Sequence, residues 1–240
     1  MIIDIHTHIG ADKDGMSQSP EELIKGMDSA GIDLSVSFPL DENVTDLVDA
    51  SIAIAELNNP RIIPFLRFDP KTMTPERLRT LLPRFKGVKL HTRAQDFNAI
   101  EKRYWPLYEE ISASKKPLLV HTRFERNPNT SPDLVSLLAE YFPDLILIIG
   151  HFAEGSPITA ERVKRCDNLY LETSIQSLTN VRINRIYDIV GAEKILFGSD
   201  TPYSNQEVEI LKIAKSKIPE DKKELIFYKN ALRLLNIKSP

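Results

Sequence analysis

Five histidines occur along the chain, at positions 6, 8, 91, 121 and 151, and each stands at the end of a short apolar run rather than inside a helical pattern. Imidazole nitrogen is the commonest neutral ligand for zinc and similar ions. In His6-Thr7-His8 the two rings sit at i and i+2, so an extended strand turns both to one side. Asp4 shares that side, one pleat deeper. Asp200 follows Ile195-Leu196-Phe197-Gly198-Ser199 and brings a carboxylate to another strand end. Any one of these residues alone reads as a satisfied core histidine or a helix-capping aspartate. The whole set, brought to one rim, reads as a metal centre with a carboxylate beside it.

The elements that would position these residues alternate regularly. Short runs rich in Ile, Val, Leu and Phe occupy 2–5, 34–38, 62–68, 87–90, 118–120, 145–149, 169–171 and 195–197, as expected of strands buried on both faces. Helical patterns lie between them, at 20–30, 44–57, 75–82, 105–114, 132–141, 160–166, 181–190, 207–215 and 222–235. Ser19 and Glu22 form a capping-box pattern before the first of these. Residues at successive strand ends (His8, Phe38, Arg67, His91, His121, His151, Glu172 and Asp200) are separated by 30, 29, 24, 30, 30, 21 and 28 positions. Each step holds one helix and one return strand. Two units end alike, Lys-Leu-His-Thr-Arg at 89–93 and Val-His-Thr-Arg at 120–123. The pattern predicts an α/β protein, a single (β/α)8 TIM barrel over residues 1–240. An open doubly wound sheet is the alternative, disfavoured by the near-equal steps and by the lack of a Gly-rich phosphate loop. In a closed barrel Asp200, on the last strand, adjoins His6 and His8 on the first.

The chain resembles the amidohydrolase superfamily, in its amidohydrolase-2 branch, which includes the aminocarboxymuconate-semialdehyde decarboxylase type. The carriers are Ile3-Asp4-Ile5-His6-Thr7-His8, Gly87-Val88-Lys89-Leu90-His91, Leu118-Leu119-Val120-His121, Ile149-Gly150-His151 and Phe197-Gly198-Ser199-Asp200-Thr201-Pro202. Asn230-Ala231-Leu232-Arg233-Leu234-Leu235 looks like the family's closing helix. The resemblance implies His6, His8 and His121 as metal ligands. It implies Asp200 as a metal contact and general base, and His151 as a catalytic histidine or a ligand of a second metal. It implies a divalent metal, one Zn2+ in first place, with Mn2+ or a second metal as alternatives. Two-metal members bridge their ions with a strand-four glutamate or carboxylated lysine. Here that strand holds Lys89 and His91 instead, which favours one metal. Lys89 is open to carboxylation, to binding an anion as an ammonium, or to snorkelling at the rim.

Arg67, Arg93 and Arg123 follow strands three, four and five closely, and arginine grips carboxylates bidentately. With Lys89 and His91 they form the expected substrate side, for a small anionic molecule. The competing role is bracing, through pairs with Asp69, Asp96 or Glu125. Glu172 is read as a supporting acid rather than a ligand. Tyr104 and Trp105 are pocket walls or, more commonly, core, and residues 10–19 are a lid candidate. Hydrolysis of an amide, ester or lactone is the first functional expectation, and non-oxidative decarboxylation on the same ligands is the second. A metal-binding scaffold without catalysis is the third. The composition sets limits: 42% apolar and 27% charged residues with a net charge of −3 describe a folded globular chain. That charge balance speaks against nucleic acid as a partner. The longest apolar stretch, 145–149, is too short to span a bilayer. The lone Cys166 and the absence of a signal pattern suit the cytoplasm. A homodimer is left open.

Overall fold

The computed structural model describes residues 1–13, 15–40, 46–174 and 179–238. Eight parallel strands follow one another in chain order: β1 (Ile3–Ala11), β2 (Leu34–Pro39), β3 (Ile62–Arg67), β4 (Gly87–His91), β5 (Leu118–His121), β6 (Leu147–Ile149), β7 (Leu169–Glu172) and β8 (Ile195–Leu196). A two-residue strand, Ser17–Gln18, folds back antiparallel on the end of β1. The sheet closes through main-chain bonds between the first and last segments. Ile5 N donates to Phe197 O at 3.0 Å, Asp200 N to His6 O at 2.7 Å, and His8 N to Thr201 O at 3.0 Å. Helices connect the strands around the outside, which makes the architecture a (β/α)8 barrel.

Alternation along each strand sorts the side chains into two layers. Leu66, Val88, Leu90, Leu118, Val120, Leu147, Ile149, Leu169 and Leu171 pack outward against the helices. Phe65, Leu119, Ile148, Tyr170 and Leu196 form part of a second cluster inside the barrel. Two residues further along the same strands stand Arg67, His121 and Glu172, on the inner face at the C-terminal end. An apolar floor below and a polar layer above are therefore the direct product of period-two patterning.

The helices follow local capping chemistry. Pro20–Ala30 (α1) starts at the expected capping box, with Glu22 N donating to Ser19 Oγ and Ser19 N donating to Glu22 Oε2. Leu47–Glu56 (α2) is capped by Asp46; the first two positions of the expected 44–57 run lie outside the described residues. The expected 132–141 helix is instead two short pieces, Pro132–Val135 and Leu138–Tyr141. Arg162 Nη1 binds Asp133 O at 2.9 Å, the carbonyl that Leu137 N would otherwise use, and Leu137 N turns to Leu134 O. The expected 222–235 helix carries a π-turn over Leu225–Lys229. Just beyond it, Asn230 Nδ2 is buried and donates to Ala192 O and Ile195 O, the main chain entering β8.

Asp4 ties the two ends of the barrel together. Its Oδ1 accepts from Ser199 N at 2.9 Å and His6 N at 3.1 Å, and its Oδ2 from Ser199 Oγ at 2.5 Å and Gln206 Nε2 at 3.2 Å. Asp4→Ala removes the acceptor from several buried donors. The expected loss of unfolding free energy is about 2–4 kcal/mol, measured by urea denaturation. Asp4→Asn, which keeps one acceptor, should lose less. Equal stability of Asp4→Ala and the parent protein would show that closure does not depend on this carboxylate.

Candidate metal centre and anion cavity

β1 carries His6 and His8 to the C-terminal mouth, where β8 and the turn after it deliver Asp200. His8 Nε2 lies 3.0 Å and His6 Nε2 3.3 Å from Asp200 Oδ1. The Phe38 ring, from β2, packs against both imidazoles, with centroids 5.3 Å from His6 and 4.6 Å from His8. Among the described residues, two triads hold their ligand atoms close enough together for an ion: His6, His8 and Asp200, and His6, His151 and Glu172. In the second the ring nitrogens are already engaged in hydrogen bonds, since His6 Nδ1 meets Glu172 Oε2 at 2.7 Å and His151 Nδ1 meets Ser174 O, outside the triad, at 2.7 Å.

The first triad fits a divalent cation on its own chemistry. His6 Nδ1 is engaged by Glu172, so Nε2 is the nitrogen that faces Asp200 and His8. Lys89 Nζ also lies against it, at 3.1 Å. Imidazole nitrogens converging on a carboxylate oxygen form a borderline donor set suited to zinc or manganese. Two further ring nitrogens, His8 Nδ1 and His121 Nε2, are buried with no hydrogen-bond partner among the described residues. His121 joins neither triad: its Nδ1 faces His151 Nε2 at 2.8 Å, and its ring stacks on His91 at 3.7 Å. It does line the same cavity as His6, His8 and Asp200.

Burial dominates the electrostatics. It pushes all five histidines below their ordinary range, His151 to about 4, so each is a neutral ring at neutral pH. Burial alone would raise Asp200, but the imidazoles packed around it, His6, the hydrogen-bonded His8 and His151, outweigh it and hold the carboxyl well below the usual carboxylate range. Burial raises Asp4 to about 7 and raises Glu172 as well. Lys89 falls to about 7, chiefly through burial, against the attraction of Asp200 and Glu172.

The cavity above the triad has a volume of about 220 Å³ and is walled largely by basic side chains. Lys89, His91, Arg67, Arg93 and Arg123 all line it, together with Leu40 and Tyr203. Lys89 is completely buried on the cavity floor, 4.8 Å from the Phe38 ring centroid, which removes snorkelling at the rim from its three alternatives. Arg67 is not a rim residue either. It is fully buried, and its Nη1 donates to Pro39 O and Leu40 O, so it braces the turn after β2 while facing the cavity. Arg93 is half exposed and pairs with Glu125 at 3.4 Å, the bracing contact foreseen for it. Tyr104 and Trp105 are core: Tyr104 packs on Phe97, and Trp105 on Tyr141 and Phe142. The 10–19 segment is a small hairpin, pinned by Gln18 Nε2 donating to His8 O at 2.6 Å, with Asp14 outside the described residues.

Backbone conformation supplies what sequence reading missed. His151, Phe152, Ala153 and Glu154 all have φ between +48° and +57°, a left-handed turn that costs non-glycine residues about 1–2 kcal/mol each. It holds because His151 N reaches Glu172 Oε2, its Nδ1 reaches Ser174 O, and Phe124 N donates to Glu154 Oε2. Asp200 shares the left-handed region, with φ +64°. Strain at two functional candidates marks them as positions the surrounding structure over-determines. Tyr203, three residues after Asp200, and Leu40, just after β2, also line the cavity. No motif pointed to them; only their distance from a strand end could have done so.

A pH dependence follows. The unfolded chain takes up protons on its histidines below about pH 6.5, and the native chain refuses them. The raised acids Asp4, Glu172 and Glu209 act in the opposite sense but are fewer than the five histidines. Stability of the metal-free protein should therefore be full above pH 6.5 and fall as the pH drops towards 5, read as the urea midpoint. A midpoint that is flat or rises over this interval would show that the rings are not held neutral.

A family model described as amidohydrolase matches residues 3–237. The γ-resorcylate decarboxylase of Polaromonas sp. strain JS666 is 26% identical over 183 residues, 56% of this chain and 55% of that protein; the chain thus matches about half the length of this curated relative. Among solved structures, 5-carboxyvanillate decarboxylase from Sphingomonas paucimobilis superposes with a TM-score of 0.79 at 17% identity, covering 99% of both chains. A dihydroxybenzoic acid decarboxylase from the same Polaromonas strain, with bound manganese and the inhibitor 2-nitroresorcinol, gives 0.77 at 17% identity, covering 100% of this chain and 98% of that one. These two likenesses establish the shared barrel. With the family match running over nearly its whole length, the chain belongs to the amidohydrolase family, in the amidohydrolase-2 branch.

Proposed function

We propose that the protein is a divalent-metal-dependent, non-oxidative decarboxylase of a small carboxylate. The observation that carries this is the cavity itself: an ionised carboxylate, Asp200, beside neutral imidazoles, in one pocket that Lys89, Arg67, Arg93 and Arg123 also line. The sequence alone put hydrolysis first. The order is reversed here because the similar proteins with assigned activities named above are decarboxylases.

His6, His8, His121 and Asp200 would hold the ion, zinc or manganese. When bound, it supplies Lewis-acid polarisation of a substrate oxygen. The remaining roles belong to the chain. Arg93 and Arg123, on the loops after adjacent strands β4 and β5, draw in and orient an anion at the mouth. His91 Nδ1 accepts from Ala94 N at 3.2 Å, so its single proton sits on Nε2, as a donor for a substrate oxygen. Loss of CO2 leaves a carbon that must gain one proton. Asp200, ionised and with a side chain 14% exposed at the cavity, is placed to take that proton from a substrate hydroxyl or from water and pass it to the carbon, and His151 stands behind.

The test is product analysis with hydroxybenzoates, lactones and amides, using protein reconstituted with zinc or manganese. Release of CO2 that depends on the metal is the expected result. Ring opening or amide cleavage without CO2 would return the reading to hydrolysis. His6→Ala or His8→Ala should lose bound metal by elemental analysis, whereas His91→Ala should keep it. Asp200→Asn should stay folded and retain most of its metal. Its turnover should fall by about 10²–10⁴. Near-normal turnover in that variant would remove Asp200 from the proton transfer.

A further inference from the structure

A neutral imidazole has one proton and one lone pair, so it can ligate a metal only if its proton is on the far nitrogen. We infer that the segment ending β7, Glu172 with Ser174, selects the proton positions of His6, His151 and His121 from behind, and so decides which nitrogens face the metal. This rests on His6 and His121 being ligands, but the proton positions belong to the metal-free chain and can be read without metal.

Two chains of hydrogen bonds carry the inference. Glu172 Oε2 accepts from His6 Nδ1 at 2.7 Å, which leaves His6 Nε2 as the lone pair beside Asp200 and His8. Ser174 O is a carbonyl and can only accept, so His151 Nδ1, 2.7 Å away, carries the proton of that ring. His151 Nε2 is then an acceptor, so His121 Nδ1, at 2.8 Å, must be the donor. The lone pair of His121 is thereby placed on Nε2, the buried nitrogen with no partner among the described residues.

Glu172 also holds this bracket rigid. Its Oε1 accepts from Ser174 N and its Oε2 from His151 N at 3.3 Å, so both oxygens are acceptors. The carboxylate is buried against Gly198, where any side chain would overlap it. Glu172→Gln preserves shape but replaces one acceptor with a donor. If the amide nitrogen faces His6, the His6 proton moves to Nε2. If it faces Ser174 N, that residue is displaced, His151 loses its carbonyl, and the relay to His121 reverses. Either way one ligand lone pair is lost.

The experiment is long-range ¹⁵N–¹H correlation spectroscopy of histidine-labelled, metal-free protein at neutral pH, paired with zinc affinity measured by chelator competition. The wild-type protein should show His6, His121 and His151 each protonated on Nδ1. Glu172→Gln should move the proton of His6 or of His121 to Nε2 and weaken zinc binding by about 10- to 100-fold. Ser174→Ala, which keeps the carbonyl, should leave His151 unchanged. A wild-type spectrum with His6 protonated on Nε2, as when a protonated Glu172 donates to Nδ1, overturns the proposal even if Glu172→Gln fails to fold. So does a folded Glu172→Gln with unaltered spectra and affinity. Wild-type protein with the expected spectra but no zinc affinity would instead overturn the ligand assignment and leave proton selection standing.

Discussion

Everything at the mouth depends on the closure between β1 and the segment after β8. The bond from Asp200 N to His6 O fixes a carboxylate beside two imidazoles that are nearly two hundred residues away in the chain. The bond lies in a main-chain ladder, so the relative height of the two segments is set by register and not by the side chains that would bind the ion. Asp4 reinforces the same joint one pleat below through Ser199 and Gln206. An error of one position in that register would turn His6 and His8 away from the cavity, because strand side chains alternate faces.

That joint makes an electrostatic problem, which the chain answers with neutrality and pairing. Charges taken out of water are unfavourable unless they are compensated. Burial keeps the five rings uncharged, and Asp200 stays ionised with His8 hydrogen-bonded to it and His6 close by. Glu172 is wholly buried yet hydrogen-bonded through both oxygens. The apolar layer of Phe65, Leu119, Ile148, Tyr170 and Leu196 underneath excludes water from below, so these interactions are screened only from the mouth.

Much of this was legible in the sequence, for reasons that can be stated residue by residue. The eight strands and the intervening helices were readable because period-two and period-3.6 patterns are local. Convergence of His6, His8 and Asp200 followed from strand order alone. The split of 132–141 was not readable, because Arg162, from another helix, takes the carbonyl of Asp133. The depth of Arg67 and Lys89 was not readable either, since a strand-end position does not say whether a long side chain reaches out or lies in. The left-handed turn at His151 carries no glycine until Gly155, so nothing local announces it; contacts from Phe124, Glu172 and Ser174 impose it.

The cations of the cavity constrain how a decarboxylase could use them. Only contacts that strengthen on the way to the transition state accelerate a reaction. A departing carboxylate loses its charge as CO2 forms, so an arginine gripping that group would bind the ground state better and slow the step. Arg93 and Arg123 can help only by holding a charge or a polar group that stays on the substrate, which orients the scissile bond and leaves the leaving group elsewhere in the cavity. Leu40 and Tyr203 supply the less polar surface of the cavity. A leaving carboxylate set there, with its water removed, is destabilised relative to CO2. If the proposed decarboxylation holds, the basic wall would select and aim the substrate, and the uncharged surface would be where the bond breaks.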